Sequence, residues 1–243
     1  MCKNTKEFTY KLILSYDGSR FFGSAKQPNL TCVQNTLDNA LKCVGVFKPS
    51  IFASRTDKGV HANCNVARIS SSYKLNKDFV LKKLNNTLNG IYIKHIKECE
   101  FEPRFDAKLR SYRYIISPYF NAFNKAYCCD YSKEIDIQLL KNALKVYEGE
   151  HDFANFCLSL DGDKNSIRTI YKTRIYKYKD LVVLNFFANG FLRGQIRLMV
   201  DFLLKINEKK LSIDELKEQL ACKEIHSRTL AKPSGLYLKS IMY

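Results

Sequence analysis

The sequence predicts an α+β protein made of two mixed α/β subdomains. Three observations lead there. Strand-like runs of period two, rich in β-branched and aromatic residues, recur along the chain, and stretches of period 3.6 closed by glycine stand between them. The first half has the order strand, helix, strand, loop, strand, helix, strand, and the second half repeats the theme without obvious sequence identity. Between the halves, residues 98–107 (CEFEPRFDA preceded by Glu98) hold Pro103 and lack periodicity, so the expected subdomains are 1–105 and 106–243. A cleft between them would suit a nucleic acid.

Each element has a local reason. FTYKLILSY, 8–16, sets Phe8, Tyr10, Leu12, Leu14 and Tyr16 on one strand face, and Asp17-Gly18 ends it. Thr31 with Gln34 reads as a capping box for a helix through Val33, Leu37, Ala40, Leu41 and Val44, stopped by Gly45. A second strand is expected near 46–53, and NCNVARIS, 63–70, returns from the loop that follows it. Asn76–Leu88 is a helix stopped at Asn89-Gly90. IYIKHIK, 91–97, is a strand in which His95 shares the face of Ile91 and Ile93 and should be a packed structural histidine.

In the second half KLRSYRYIIS, 108–117, places Arg110, Tyr112, Tyr114 and Ile116 on one strand face. Asp136 caps a helix through Ile137, Leu140, Leu144 and Tyr147 that closes at Gly149. Tyr171–Tyr178 and Leu181–Ala188 form a hairpin over Lys179-Asp180. Asn189-Gly190 leads into an amphipathic helix carrying Phe191, Leu192, Ile196, Met199, Val200 and Leu203. Ser212 with Glu215 opens another by capping box, and GLYLKSIMY, 235–243, is the closing strand.

Composition narrows the partners. Forty Lys and Arg against 24 Asp and Glu leave a net charge of +16, which favours a polyanionic partner, although a general bias toward lysine would give the same figure. No apolar run of about 18 residues suggests a membrane span, and Met1–Glu7 has no signal-peptide core, so a cytoplasmic location without a membrane is expected. Nine cysteines without a C-x-x-C pair read as reduced, mostly buried residues. His61, His95, His151 and His226 show no metal-ligand spacing, and there is no GxxxxGK or GxGxxG string, so neither metal nor nucleotide cofactor is expected. Asp161-Gly162-Asp163-Lys164-Asn165 mimics a calcium loop, but Ser166 and Lys172 occupy the positions that need Gly and Glu; it reads as a polar turn.

The chemistry is expected at residues 51–62, IFASRTDKGVHA. Asp57 stands between Arg55 and Lys58 on a loop where Gly59 permits a tight turn. An ionised Asp57 would serve as nucleophile or base, while the same letters also suit an ordinary Asp-capped turn. Arg110-Ser111-Tyr112-Arg113-Tyr114 interleaves cations with aromatics, which fits stacking on unpaired bases and equally fits a half-buried strand. Arg193 and Arg197 are four apart and would share a helical face.

SRTDKGVHA closely resembles the G-R-T-D-A-G-V-H-A segment that marks the TruA family of tRNA pseudouridine synthases, with Ser54 for Gly and Lys58 for Ala. Further segments match in the family order from about Lys11 to Leu238: Tyr16-Asp17-Gly18, R-F-D-A-x-x-R-S-Y-R-Y-I-I, Gly149–Phe153, Arg168-Thr169-Ile170, N-x-F-x-x-x-x-x-R and G-L-Y-L. The resemblance implies the pseudouridine synthase fold, with largely antiparallel sheets around a central basic cleft. It implies that Asp57 is catalytic, that Arg197 pairs with it, that Tyr112 lies over the target base and that Leu236 packs the pocket. Arg55 and Arg104 would hold RNA. One departure stands out: where the family usually has G-W-Q, this chain has Gly23-Ser24-Ala25-Lys26-Gln27, and it contains no Trp.

The activity so implied is isomerisation of uridine to pseudouridine at positions 38, 39 and 40 of the tRNA anticodon stem-loop, by a homodimer without cofactor. A basic tRNA-binding or other RNA-binding protein without chemistry would explain the charge and the aromatic strand. A Mg²⁺-dependent phosphoryl-transfer enzyme would want carboxylates clustered near Asp57, and the sequence has none there.

Overall fold

The computed structural model describes residues 7–159 and 165–243. The calcium-like turn at Asp161–Lys164 lies outside the described residues. The architecture is α+β, with mostly antiparallel strand pairing and five α-helices among the described residues. The chain divides into two compact units. One takes the residues up to Lys108 and includes Leu238–Tyr243; the other is Leu109–Tyr237.

In the first unit β1 (Phe8–Tyr16) runs antiparallel to β3 (His61–Ser71) on one side and β4 (Ile91–Glu98) on the other. The closing strand β10 (Leu236–Met242) flanks β3. Tyr10, Leu12, Leu14 and Tyr16 are all buried, as the alternation requires. Helix α1 (Val33–Lys42) buries Val33, Leu37, Ala40 and Leu41, and α2 (Lys77–Thr87) buries Val80 and Leu84. Each such aliphatic side chain removed from water contributes about 1.5–3 kcal/mol.

Three expectations change here. The strand foreseen near 46–53 shrinks to β2 (Ile51–Phe52), which pairs with β3. The Thr31/Gln34 capping box does not form: Cys32 is the N-cap and makes no side-chain cap bond. Instead the amides of Val33 and Gln34 donate to the carbonyls of Gly23 and Ser24, at 3.2 and 3.0 Å. A tertiary loop thus satisfies the free amides of the first turn. His95 is exposed, because a bulge in the β1–β4 pairing moves the register from Ile13↔His95 to Leu14↔Ile93. The extra residue reverses the alternation, and Ile96 points inward in place of His95.

In the second unit β5 (Leu109–Ser117) pairs antiparallel with β9 (Leu181–Ala188), which pairs with β8 (Ile167–Tyr178) across the hairpin at Lys179-Asp180. Lys179 takes the left-handed conformation, φ 52°. A short β7 (Gly149–Asp152) continues on β8, and β6 (Cys129–Asp130) pairs parallel to β5. Helices α3 (Ile137–Val146), α4 (Gln195–Asn207) and α5 (Ile213–Leu220) complete the unit. The core holds Tyr114, Tyr147, Phe153, Phe156, Phe186 and Phe202. Burial pushes the Tyr147 phenol well above its ordinary range, and its hydroxyl donates to the Met199 carbonyl at 3.2 Å. Helix α4 starts later than the pattern from Phe191 suggests: Gly194, at φ 73°, is its N-cap, so Arg193 lies in the preceding turn and does not share a helical face with Arg197.

Candidate active site

The Asp57 loop hangs between β2 and β3, held by backbone bonds and a buried polar cluster. The Val60 amide donates to the Asp57 carbonyl at 3.1 Å, closing a turn in which Gly59 adopts φ 79°. Thr56, beside Asp57, is buried, and its hydroxyl lies 2.8 Å from that of Tyr16 at the end of β1. Asn65 on β3 donates to the Tyr16 hydroxyl at 3.2 Å and to the Ser54 carbonyl at 2.9 Å. Tyr16, Thr56 and Asn65 thus tie the loop to two neighbouring strands. Buried polar groups that are fully bonded in this way specify one arrangement, because any other leaves a donor without a partner. Sequence reasoning placed Tyr16 in the core and passed over Asn65. The signal available was the hydroxyl of Tyr16 at the end of β1 and an amide side chain, Asn65, within β3.

Asp57 itself is half-buried, and Arg55 and Lys58 on either side are exposed. The Lys58 ammonium sits 4.2 Å from the centroid of the Phe22 ring. Arg55 and Arg104 come together on one open pocket of about 150 Å³, lined also by Ser24, Gln34, Ser50 and Phe52. Two guanidinium groups over a polar floor can hold phosphate or a carbonyl edge. Behind the loop, His61 is buried and its Nδ1 accepts from the Gly18 amide at 3.0 Å, with Asp17 Oδ1 3.4 Å away.

The second unit carries the other predicted residues. Tyr112 on β5 is buried and packs edge-on against Phe191, centroids 5.3 Å apart and planes at 83°. The N-x-F segment is therefore in contact with the strand that was read as a stacking platform. Arg197, in the first turn of α4, donates through Nε to the Ala231 carbonyl at 2.8 Å, and the Ala231 amide returns a bond to Arg197 at 3.1 Å. Leu236 is buried directly after Gly235, where a Cβ would come within 2.8 Å of the Ile115 carbonyl and 2.9 Å of the Tyr114 ring. Only glycine lets the chain pass that close to β5. Arg193 donates to the Ser159 hydroxyl at 3.4 Å.

Among the described residues one group has metal-ligand proximity: Glu218, Glu224 and His226, with ligand atoms within 4.8 Å of one another. His226 already meets Glu218 at 2.9 Å and Glu215 at 3.7 Å, as an ordinary surface ion cluster does. No helix of the described residues is long and apolar enough to cross a membrane.

The family profile described as tRNA pseudouridine synthase matches residues 143–243. A curated tRNA pseudouridine synthase A from Campylobacter jejuni is 44% identical over 238 residues, covering 96% of this chain and 99% of that protein. Proteins of the same name from Helicobacter hepaticus and Wolinella succinogenes are 38% and 37% identical, over 97% of this chain in both cases. Such identity over nearly the full length of both partners, on an α+β fold with an Asp-bearing loop, defines the class as pseudouridine synthase. Within that class, the chain belongs to the TruA family of tRNA pseudouridine synthases.

Proposed function

We propose that this protein converts uridine to pseudouridine in the anticodon stem-loop of tRNA, at positions 38–40, with Asp57 as the catalytic group. The observation that carries the reading is the 44% identity to tRNA pseudouridine synthase A over 96% of the chain. The reaction breaks the bond from uracil N1 to the ribose, turns the base, and rejoins it through C5. The C5 proton is lost and N1 gains one, so atoms balance without an oxidant, a reductant or a nucleotide.

A stacked uracil is beyond the reach of a side chain, so the nucleotide has to be extruded at a cost of a few kcal/mol. The basic surface, with its +16 net charge, offsets that by neutralising phosphates. Arg55 and Arg104 hold the opened RNA, Tyr112 stacks on the uracil, and Leu236 packs against it. In this reading Arg197 is the partner that aims the Asp57 carboxylate, as either nucleophilic attack or proton abstraction requires. The protein acts in the cytoplasm as a homodimer with one tRNA across both subunits.

The test uses tRNA carrying tritium at uridine C5, which is released when the new carbon–carbon bond forms. Asp57→Asn abolishes release while the dissociation constant for tRNA stays within about threefold of wild type, since one of many contacts is altered. Turnover retained in that variant removes Asp57 from the mechanism. No tritium release from the wild-type protein favours the reading as a non-catalytic RNA-binding protein, which the net charge alone would support.

A further inference from the structure

We propose that Ser24 is the positioning residue for Asp57, coupling the catalytic loop to the start of helix α1; the inference rests on Asp57 being catalytic. The connection is a chain of hydrogen bonds within the first unit. The Val33 and Gln34 amides, at the free N-terminus of α1, donate to the carbonyls of Gly23 and Ser24. Ser24 then grips the backbone of Thr56 on both sides of its Cα: its amide donates to the Thr56 carbonyl at 3.0 Å, and its Oγ accepts from the Thr56 amide at 2.8 Å. Thr56 is the residue immediately before Asp57. Ser24 is 1% exposed, so water is not at hand to replace either bond.

Gly23 makes the approach possible. It adopts φ 99°, and a Cβ there would lie 2.9 Å from the Thr56 carbonyl and 3.5 Å from the Asp57 carbonyl carbon. The side-chain half of the grip belongs to serine in particular. Where the family usually has Trp after this glycine, the indole offers no oxygen to accept from the Thr56 amide. The departure from G-W-Q is, in this chain, a polar anchor under the Asp57 loop. Thr56 has a second tether in the Tyr16 hydroxyl, so removing the serine oxygen loosens the loop on one side without unfolding it.

The experiment compares Ser24→Ala and Ser24→Thr with wild type in steady-state tritium release, with tRNA binding measured separately and Asp57→Asn as the control for the catalytic assignment. Ser24→Ala lowers kcat about 10- to 100-fold, the usual effect of misplacing a catalytic group by a fraction of an ångström to one ångström, and leaves KM and tRNA affinity within about twofold. Ser24→Thr, which keeps the acceptor, recovers most of the rate. An alanine variant with wild-type kcat overturns the proposal, and so does a threonine variant as slow as alanine. Loss of rate and affinity together, in parallel with a large fall in melting temperature, assigns Ser24 a merely structural role and also overturns it. If the alanine variant does not fold, Ser24→Cys, of similar volume and a poorer acceptor, is read by the same criteria. Inactive Asp57→Asn beside normal Ser24→Ala sinks this inference and spares the catalytic assignment. An active Asp57→Asn sinks the catalytic assignment itself.

Discussion

Gly18 is the position where a single added carbon does most damage. A Cβ built there falls 2.1 Å from the Val60 carbonyl oxygen, 2.3 Å from its carbon and 2.9 Å from the His61 amide nitrogen, against 3.4 Å for ordinary contact. The obstructing atoms are backbone, so no rotamer change relieves them. Gly18 is also pinned, because its amide donates to His61 Nδ1 and the preceding Asp17 amide donates to the Gly90 carbonyl. Relief therefore requires a shift of about 1 Å in Val60, which closes the Asp57 turn, and in His61 after it, at an overpacking cost near the top of the usual 1–3 kcal/mol. For a chain of this size about 3 kcal/mol lowers the melting temperature by roughly 6–12 °C. Displacement of the turn by that amount costs about 100-fold in turnover. Gly18→Ala is to be followed by thermal melting and tritium release beside Gly190→Ala, where the nearest atom is the Arg168 Nε at 3.5 Å and the melting temperature should hardly move. A Gly18→Ala protein that melts within about 2 °C of wild type and turns over normally would refute the reasoning.

Other perturbations test other parts. Lys133 and Lys210 reach the Glu208 carboxylate at 2.8 and 2.7 Å and hold its pKa down from 4.5 to about 2. Because the folded value is depressed, the stabilisation is complete above 4.5 and is lost as the pH falls toward 2; with both lysines exposed it amounts to about 1 kcal/mol or less. Glu208→Gln should therefore melt lower than wild type at neutral pH, and the gap should narrow as acid is added; a gap indifferent to pH argues against the pair. Asp136 caps α3 by accepting from the Leu139 amide at 2.9 Å, so Asp136→Ala should cost about 1 kcal/mol in denaturant unfolding, and no change in midpoint would count against the cap. Burial pushes the Cys128 and Cys129 thiols up, whereas Cys43 and Cys222 are exposed. Mild alkylation of the folded protein followed by peptide mapping should label the exposed pair first, and early labelling of Cys128 would contradict the packing.

What the sequence revealed depended on how local the cause was. The caps at Asp136 and Ser212 bond to amides three residues on, so their letters suffice. The hairpin at Lys179-Asp180 is likewise a matter of two residues. The N-terminus of α1 was misread because its amides are satisfied by Gly23 and Ser24, partners that no spacing rule contains. His95 was misplaced because the bulge that turns it outward is a property of the pairing with β1, invisible in β4 alone. The roles proposed for Asp57, Tyr112 and Arg197 come from motif alone. The Tyr16–Thr56–Asn65 cluster joins residues 40 and 49 positions apart, and only folding brings them together.

The return of Leu238–Tyr243 to the first unit has a consequence for how the molecule is made. On the ribosome, the unit bearing the Asp57 loop emerges first, yet its sheet lacks β10 until the whole second unit has been synthesised. The Lys108 amide waits for the Met242 carbonyl, and the Pro103 carbonyl waits for the Tyr243 hydroxyl. Until residues 238–243 are made, the edge of β3 that β10 covers has no strand partner there. Closure of the first unit is thus tied to synthesis of the second.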